Sequence, residues 1–289
     1  MDVIYQLPLP DVVSDKIFGY ACKSPHIGLG ATIVKQLIGL DMYNTLKTKN
    51  SIVLDDDGNV IEFRVWDGNE NALLNNDKLH QLTFDVAHLN TLPNLTEIDL
   101  SDTGVSGDIV HLKMLPNLIA IGFSGTGITG DIVHLNTLPN LTTIWLQDTG
   151  VTGDIAHLKS LPNLIAIDLY NTRVTGDIEN LKSLMNLSDI VLSQTGVTGD
   201  IVHLKSLPNL VGVYLSNTGV TGNITHLKSL KSLTRIYLGG TGVTGDIADL
   251  KSLPNLIAID VRRTDVTGDE EAFNEYRKSA GLDHSLIRF

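Results

Sequence analysis

A leucine that recurs every 23 residues constrains the fold of this chain more than any other feature of its sequence. A glycine column and a threonine column keep the same spacing, and eight such units follow one another in register. This self-similarity indicates that one small structural unit is copied along the chain and that neighbouring copies stack on each other. The leucine column consists of Leu95, Leu118, Leu141, Leu164, Leu187, Leu210, Leu233 and Leu256.

Each unit reads L-x-x-I-x-L-x-x-T-x-V-x-G-D-I-x-x-L-x-x-L-P-N. The alternation of Ile98, Asp99 and Leu100 predicts a short strand with the aspartate on the solvent side. Gly107 permits a turn, and residues 111–115 are too few for more than one helical or 3₁₀ turn. In the first unit we expect these side chains to point inward: Leu95, Ile98, Leu100, Val105, Ile109, Leu112 and Leu115.

This pattern resembles the leucine-rich-repeat family, whose motif L-x-x-L-x-L-x-x-N-x-L it matches over about residues 58–268. The G-x-I extension is similar to the plant-type subclass. The resemblance implies an α/β solenoid in which a parallel sheet lines the concave side. Thr103 and its equivalents stand where the family has a buried asparagine, and we expect their hydroxyls to form a threonine ladder instead.

We expect the solenoid to cover residues 51–268. Residues 58–66 fit a degenerate first strand, followed by about 12 extra residues relative to the regular spacing. The acidic segment 55–58 is typical of a turn. It lacks the ligand order and the closing glutamate of a calcium-binding loop, so we expect no calcium site there. The inward side chains of the degenerate strand are expected to be Val60, Phe63 and Val65.

The last residues, 269–289, are expected to close the end of the solenoid. Asp269 is a suitable N-cap for a helix that runs to about Ala280, and Gly281 is a suitable terminator. Such a helix would cover the last repeat, which a stack of repeats needs for solubility.

The first 50 residues do not repeat, and segments 11–21 and 29–48 have helical patterns. Residues 9–20 resemble the start of an F-box, a family that docks onto an adaptor of a ubiquitin ligase. We therefore expect residues 1–50 to be either a helical cap or a small F-box-like region. The second alternative would make the chain a substrate receptor of a ubiquitin ligase.

The composition argues against several classes of partner and compartment. The net charge of −12 disfavours a general binder of nucleic acid or of anionic membranes, because phosphate groups need a basic surface. Cys22 is the only cysteine, so an internal disulfide is impossible. The first residues lack the pattern of a signal peptide. The expectation is a cytoplasmic monomer that needs no cofactor.

The side chains on the solvent side of the predicted sheet vary from unit to unit, unlike the constant inward columns. Tryptophan, tyrosine and arginine are enriched at interaction hot spots, although aromatics make up only 5% of this chain. Acidic residues lie on the early strands and basic residues on the late ones. We therefore expect a protein or peptide to bind here, with its acidic part near the last two units. The candidate residues are Trp145, Tyr170, Tyr214, Tyr237, Arg235, Arg262, Arg263, Glu97 and Asp99.

Other repeated columns have structural explanations or support weaker alternatives. The histidine column that includes His111 is broken by Asn180 and Asp249, and we expect it to hold no metal. The aspartate column that starts at Asp108 is expected to cap a turn or a short helix. No G-x-S-x-G, phosphate-binding loop or H-E-x-x-H motif is present, so we expect no catalytic residues. The regular threonines also admit an ice-binding solenoid as a remote alternative.

Overall fold

The computed structural model describes residues 29–49, 51–65, 80–282 and 286–288. Within these residues eleven strands form a long sheet and eight form a short sheet, and strands from successive repeats pair in parallel. The F-box-like segment, residues 9–20, and the predicted helix at 11–21 lie outside the described residues. Among the described residues no helix is both long enough and apolar enough to cross a membrane.

The strands are numbered in chain order. The long sheet contains β1 (Ile52–Leu54), β2 (Val60–Arg64), β3 (Glu97–Asp99), β5 (Ala120–Gly122), β7 (Thr143–Trp145), β9 (Ala166–Asp168), β11 (Asp189–Val191), β13 (Gly212–Tyr214), β15 (Arg235–Tyr237), β17 (Ala258–Asp260) and β19 (Leu286–Arg288). The short sheet contains β4 (Ser106–Asp108), β6 (Gly127–Asp131), β8 (Gly150–Asp154), β10 (Arg173–Asp177), β12 (Gly196–Asp200), β14 (Gly219–Asn223), β16 (Gly242–Asp246) and β18 (Asp265–Thr267).

The helices lie at the two ends of the described chain and between the sheets. The α-helices are α1 (Leu29–Ile38), α2 (Leu40–Thr48) and α3 (Glu270–Ser279). The 3₁₀ helices span Val86–Thr91, Ile109–Met114, Ile132–Thr137, Ile155–Ser160, Ile178–Leu181, Ile201–Ser206, Ile224–Ser229 and Ile247–Leu250.

Each regular repeat contributes one strand to each sheet and, in all but the last repeat, then forms a 3₁₀ helix. In the first repeat, the helix at Ile109–Met114 begins after Asp108, whose carboxylate accepts a hydrogen bond from the Val110 amide at 2.8 Å. The aspartate column therefore caps the short helices, as the sequence predicts. The seven side chains predicted to point inward in this repeat are each at most 1% exposed. Stacking these stripes produces one continuous aliphatic core.

The threonine column is buried in all regular repeats but the last, and its hydrogen bonds differ from the expected ladder. The Thr103 hydroxyl donates to the carbonyl oxygen of Leu100 at 2.6 Å, within its own repeat. Thr149 makes the same 2.6 Å bond to Leu146. A threonine side chain is shorter than asparagine, and its one hydroxyl proton is used on this local carbonyl. The column is therefore a series of identical local bonds rather than a chain of bonds between repeats.

Glycines in the short sheet leave room for side chains of the preceding repeat. Gly153 has φ 112°, and a Cβ at this position would collide with the Asp131 carboxylate. A Cβ on Gly150 would lie 2.8 Å from the Thr129 methyl carbon. These contacts explain why glycine, threonine and aspartate recur together, because each glycine accommodates a capping carboxylate or a methyl group from its neighbour.

The N-terminal end of the solenoid is closed by α1, α2 and the β1–β2 hairpin. Gly39, with φ 80°, separates the two helices, so the predicted helical stretch 29–48 is broken at this glycine. In the hairpin turn, the Asp55 carboxylate accepts hydrogen bonds from the Asn59 and Asp57 amides at 2.8 and 3.1 Å. Strand β2 then pairs with β3, and its inward side chains are buried as expected: Val60, Phe63 and Val65.

The C-terminal end is covered by α3, as the sequence predicts. The Asp269 carboxylate caps this helix by accepting a hydrogen bond from the Ala272 amide at 3.0 Å, and Gly281 follows its end with φ 67°. Arg277 is 1% exposed and donates to the carbonyl oxygens of Leu253 and Leu256, both at 2.7 Å. This guanidinium anchors the helix to the segment that follows the last 3₁₀ helix, because it bonds backbone carbonyl oxygens at the end of the stack.

Candidate protein-interaction surface

The exposed side of the long sheet, together with the turns that directly follow its strands, is called the interaction face here. Six of the nine candidate residues lie on the strands, and the other three lie in those turns: Tyr170, Arg262 and Arg263. Strands pair in strict register, with Trp145 opposite Asp168 and Tyr214 opposite Tyr237. Side chains one repeat apart therefore lie about 4.8 Å from each other at the backbone. Residues that are 23 positions apart in sequence become direct neighbours on this face.

Two of the predicted aromatic residues form a stacked pair. The rings of Tyr214 and Tyr237 are 5.0 Å apart between centroids and inclined by 7°. Gly212 makes this possible, because a Cβ at that position would lie 2.7 Å from the Tyr214 ring. Burial raises the pKa of Tyr214, and the positive charge of Arg235 partly opposes this rise. Tyr214, Tyr237 and Arg235 form what we call the aromatic patch.

The other two predicted aromatic residues lie apart from this patch. Trp145 is 42% exposed and lies beside Gly122 and Asp168 on the neighbouring strands. The Tyr170 hydroxyl accepts a hydrogen bond from the side-chain amide of Gln194 at 2.7 Å. The structure therefore divides the predicted aromatic set into a stacked pair and two separate rings.

The basic end of the interaction face carries less free charge than the sequence suggests. Arg262 donates from Nε to the Asp260 carboxylate at 2.9 Å, and this carboxylate is only 5% exposed. The hydrogen bond and the negative charge raise the pKa of Arg262. Arg262 thus serves mainly to neutralise a buried aspartate. Arg263 has φ 58° and lies in the turn after the strand, so it is exposed at the edge of the face.

The acidic end also contains an arginine that the sequence reasoning did not include. Arg64 on β2 approaches Glu97 at 3.3 Å and Glu62 at 2.6 Å. Asp99 accepts a hydrogen bond from the Ser101 hydroxyl at 2.7 Å, and burial raises its pKa. The predicted acidic cluster is therefore partly neutralised by Arg64 and partly withdrawn from solvent. This pairing was not predicted from the sequence because β2 and β3 are offset by 35 residues instead of the regular 23.

A second feature that the sequence reasoning missed is a groove along the edge where the chain enters the strands of the long sheet. Its volume is about 810 Å³. Along its side, asparagine amides donate to a carbonyl oxygen of the preceding repeat, as Asn163 does to Pro139 at 3.1 Å. The groove is lined by Thr96, Asn117, Ile119, Asn140, Thr142, Asn163, Ile165, Asn186 and Asn209.

Thr96, Ile119, Thr142 and Ile165 of the groove belong to a column that alternates in character with a period of 46 residues, and this signal is readable from the sequence. One repeat carries a hydroxyl residue and the next an aliphatic residue. The hydroxyl residues are Thr96, Thr142, Ser188 and Thr234, and the aliphatic residues are Ile119, Ile165, Val211 and Ile257. Ile119 and Ile165 are 40% and 46% exposed.

The remaining columns offer no alternative site in the described part of the chain. No group of three or more histidine, cysteine, aspartate or glutamate residues suited to a metal is found among the described residues. His88 instead contacts the carbonyl oxygen of Asp85 through Nδ1 at 2.9 Å. The Thr103 column is buried and is not available to bind ice, whereas the Thr129 column is exposed on the short sheet.

None of the known protein-family models matches the chain, and no curated protein matches it. Several solved structures match the chain. A plant peptide hormone receptor, RGFR1 in complex with RGF2, has 26% identity and a TM-score of 0.58 over 64% of this chain and 31% of that chain. The Arabidopsis receptor kinase HAESA, in complex with the peptide hormone IDA and the co-receptor SERK1, has 26% identity and a TM-score of 0.57 over 64% and 32%.

The chain thus spans about a third of the length of these plant receptors. An internalin C2 from Listeria monocytogenes matches over more of both chains, 90% of this one and 91% of that one. Its identity is 22% and its TM-score is 0.52. These matches agree with the two parallel sheets and the 23-residue stack described above. The chain is a leucine-rich-repeat solenoid.

Proposed function

We propose that this chain is a non-catalytic protein-interaction module that binds a protein or peptide segment on the interaction face, the concave side of the solenoid. The observation that carries the proposal is the aromatic patch. Stacked tyrosines beside an exposed arginine combine the residue types that dominate protein interfaces, in a chain with few aromatics. The plant receptors that match are described in complex with peptide hormones, which supports the same use of the fold here.

Two of the three candidate arginines are better suited than the third to contact the partner. Arg235 and Arg263 are exposed and form no ion pair within the described residues, whereas Arg262 is engaged by Asp260. We therefore assign the acidic part of the partner to Arg235 and Arg263. Trp145 provides a separate apolar contact four repeats before Arg235, so the bound segment is extended along the face. The module is proposed to act as a monomer in the cytoplasm, without nucleic acid as a partner.

The test uses the full chain as bait in a lysate from its source. A variant carrying Trp145→Ala, Tyr214→Ala and Tyr237→Ala is compared with the parent and with Tyr276→Ala. The last substitution removes an exposed aromatic side chain from α3, far from the interaction face. We expect the parent and Tyr276→Ala to retain a protein that the triple variant loses, while circular dichroism shows that all three are folded. Equal capture by all three would contradict the proposal.

A further inference from the structure

Trp145 is the most exposed aromatic side chain of the interaction face, and acidic residues lie on both sides of it. We propose that this indole and the Asp99 carboxylate bind an arginine side chain of the partner, whose guanidinium lies over Trp145 and beside Asp99. This inference rests on the proposed function, because it names the chemistry of one residue in the segment that binds on this face.

The strand between Asp99 and Trp145 carries only small residues on its exposed side. Strand β5 has Gly122 at the position equivalent to both, and Ala120 beside it. The Asp99 carboxylate occupies part of the space over this glycine, since a Cβ on Gly122 would lie 2.6 Å from its Oδ1. The carboxylate is therefore about one strand spacing, 4.8 Å, from the backbone that carries the indole. An ion pair forms within about 4 Å and a cation–π contact within about 6 Å of the ring centroid, so one cation can make both.

The protein does not neutralise the carboxylates around this indole. Asp168 lies next to Trp145 on β9, and Asp148 is exposed in the turn after β7. Neither of these carboxylates nor that of Asp99 forms an ion pair within the part of the chain that the structure describes. Arg64, the arginine at this end of the face, is engaged by two glutamates. The charge around Trp145 therefore favours a cationic occupant over a neutral or acidic one.

The titration behaviour of the two flanking aspartates agrees with a missing counter-charge. Burial raises the pKa of Asp99, and hydrogen bonds from Ser101 oppose this rise only in part. Burial also raises the pKa of Asp168, and the negative charge of Asp148 adds to the rise. A cation bound beside them would favour their ionised forms, because an opposite charge compensates for the water that burial removes.

The indole selects arginine among the cationic side chains. Cation–π contacts within the described ranges involve Tyr43, Tyr276 and Phe273, and none involves Trp145. Tryptophan attracts a cation more strongly than tyrosine or phenylalanine does, and arginine fills this role more often than lysine. A planar guanidinium can stack on the indole while it donates hydrogen bonds to a carboxylate. The apolar stem of the arginine provides the apolar contact already assigned to Trp145.

The experiment follows the indole N–H signal of Trp145 by nuclear magnetic resonance of the isotope-labelled full chain. The chain has two tryptophans, and the spectrum of Trp145→Phe identifies which signal belongs to Trp145. One probe is the capped peptide acetyl-Ala-Arg-Ala-amide. The other carries citrulline in place of arginine, a neutral side chain of nearly the same shape. We expect both to be titrated at low salt with at least fivefold tighter binding of the arginine peptide.

Two charge-removing variants locate the site. Asp99→Asn removes the carboxylate charge and keeps an oxygen that can accept the 2.7 Å hydrogen bond from Ser101, so the fold should be retained. This variant should bind the arginine peptide at least threefold more weakly. Asp265→Asn removes the same charge from an exposed position on β18 in the short sheet, and it should leave the affinity unchanged. Circular dichroism confirms that both variants are folded.

Equal affinity for the two peptides, no shift of the Trp145 signal with either, or unchanged affinity in Asp99→Asn would overturn the inference. Loss of the natural partner in the Trp145, Tyr214 and Tyr237 variant, together with no preference for arginine, would show that only this inference is wrong. Retention of the partner by that variant, together with the expected preference, would uphold the arginine site and contradict the proposed function.

Discussion

The fit between neighbouring repeats can be measured at Gly153. Alanine at this position has a Cβ that occupies the space of the Asp131 carboxylate, in a backbone with φ 112°. The strained backbone costs about 1–3 kcal/mol. Displacing the carboxylate removes its 2.8 Å hydrogen bond from the Val133 amide, a helix cap that contributes about 0.5–2 kcal/mol. We therefore expect Gly153→Ala to lower the free energy of unfolding by about 1.5–5 kcal/mol.

A double-mutant cycle separates these two contributions. Asp131→Ala alone should cost only the cap, and adding it to Gly153→Ala should cost little more, because the cap is already lost. Gly281→Ala is the control for strain alone, since Gly281 has φ 67° and nothing within 4 Å of the added Cβ. Urea unfolding followed by circular dichroism measures all four variants. Strict additivity of Gly153→Ala and Asp131→Ala would refute the steric reasoning.

Further substitutions test other parts of the account by the same unfolding measurement. Arg277→Met should lower the free energy of unfolding by about 2–5 kcal/mol, because it removes the buried hydrogen bonds from the guanidinium to the Leu253 and Leu256 carbonyl oxygens. A loss below about 1 kcal/mol would contradict this. Thr149→Val and Thr195→Val should each lower the free energy of unfolding by about 1 kcal/mol, because each removes the same local hydrogen bond. Unequal losses in the two variants would argue against equivalent bonds in the repeats. Burial raises the pKa of Asp168, so the charged carboxylate is disfavoured in the folded state. Asp168→Asn should therefore raise the free energy of unfolding at neutral pH, and this gain should vanish as the pH falls below 3.8. A gain in stability that grows in acid would contradict the expected direction of the pH dependence.

Columns of equivalent residues made most of the fold predictable. The inward aliphatic columns are buried in every regular repeat, so the inward residues of the first repeat, such as Leu95 and Val105, could be predicted from spacing alone. The cap at Asp269 followed from its position before a helical segment. Hydrogen-bond partners were harder to predict, because the Thr103 hydroxyl could have donated to a carbonyl oxygen of its own repeat or of the next repeat.

The interaction face was predicted less completely, since it depends on pairs rather than columns. Asp260 is the last residue of β17 and Arg262 follows it by two residues, so their pairing was open to prediction. The contact between Arg64 and Glu97 could not be predicted, because an irregular insertion separates these two residues in the sequence. The stacking of Tyr214 on Tyr237 required the ring orientation that Gly212 permits, which only the structure supplies.

The most direct test of the central claim is to locate the partner on the surface by photo-crosslinking. A photoreactive amino acid at Val191 would lie on the interaction face opposite Tyr214, and one at Ser160 would lie on an exposed 3₁₀ helix. We predict that the partner captured from a lysate crosslinks at position 191 and not at position 160. Crosslinking at position 160 alone would contradict binding on the concave side.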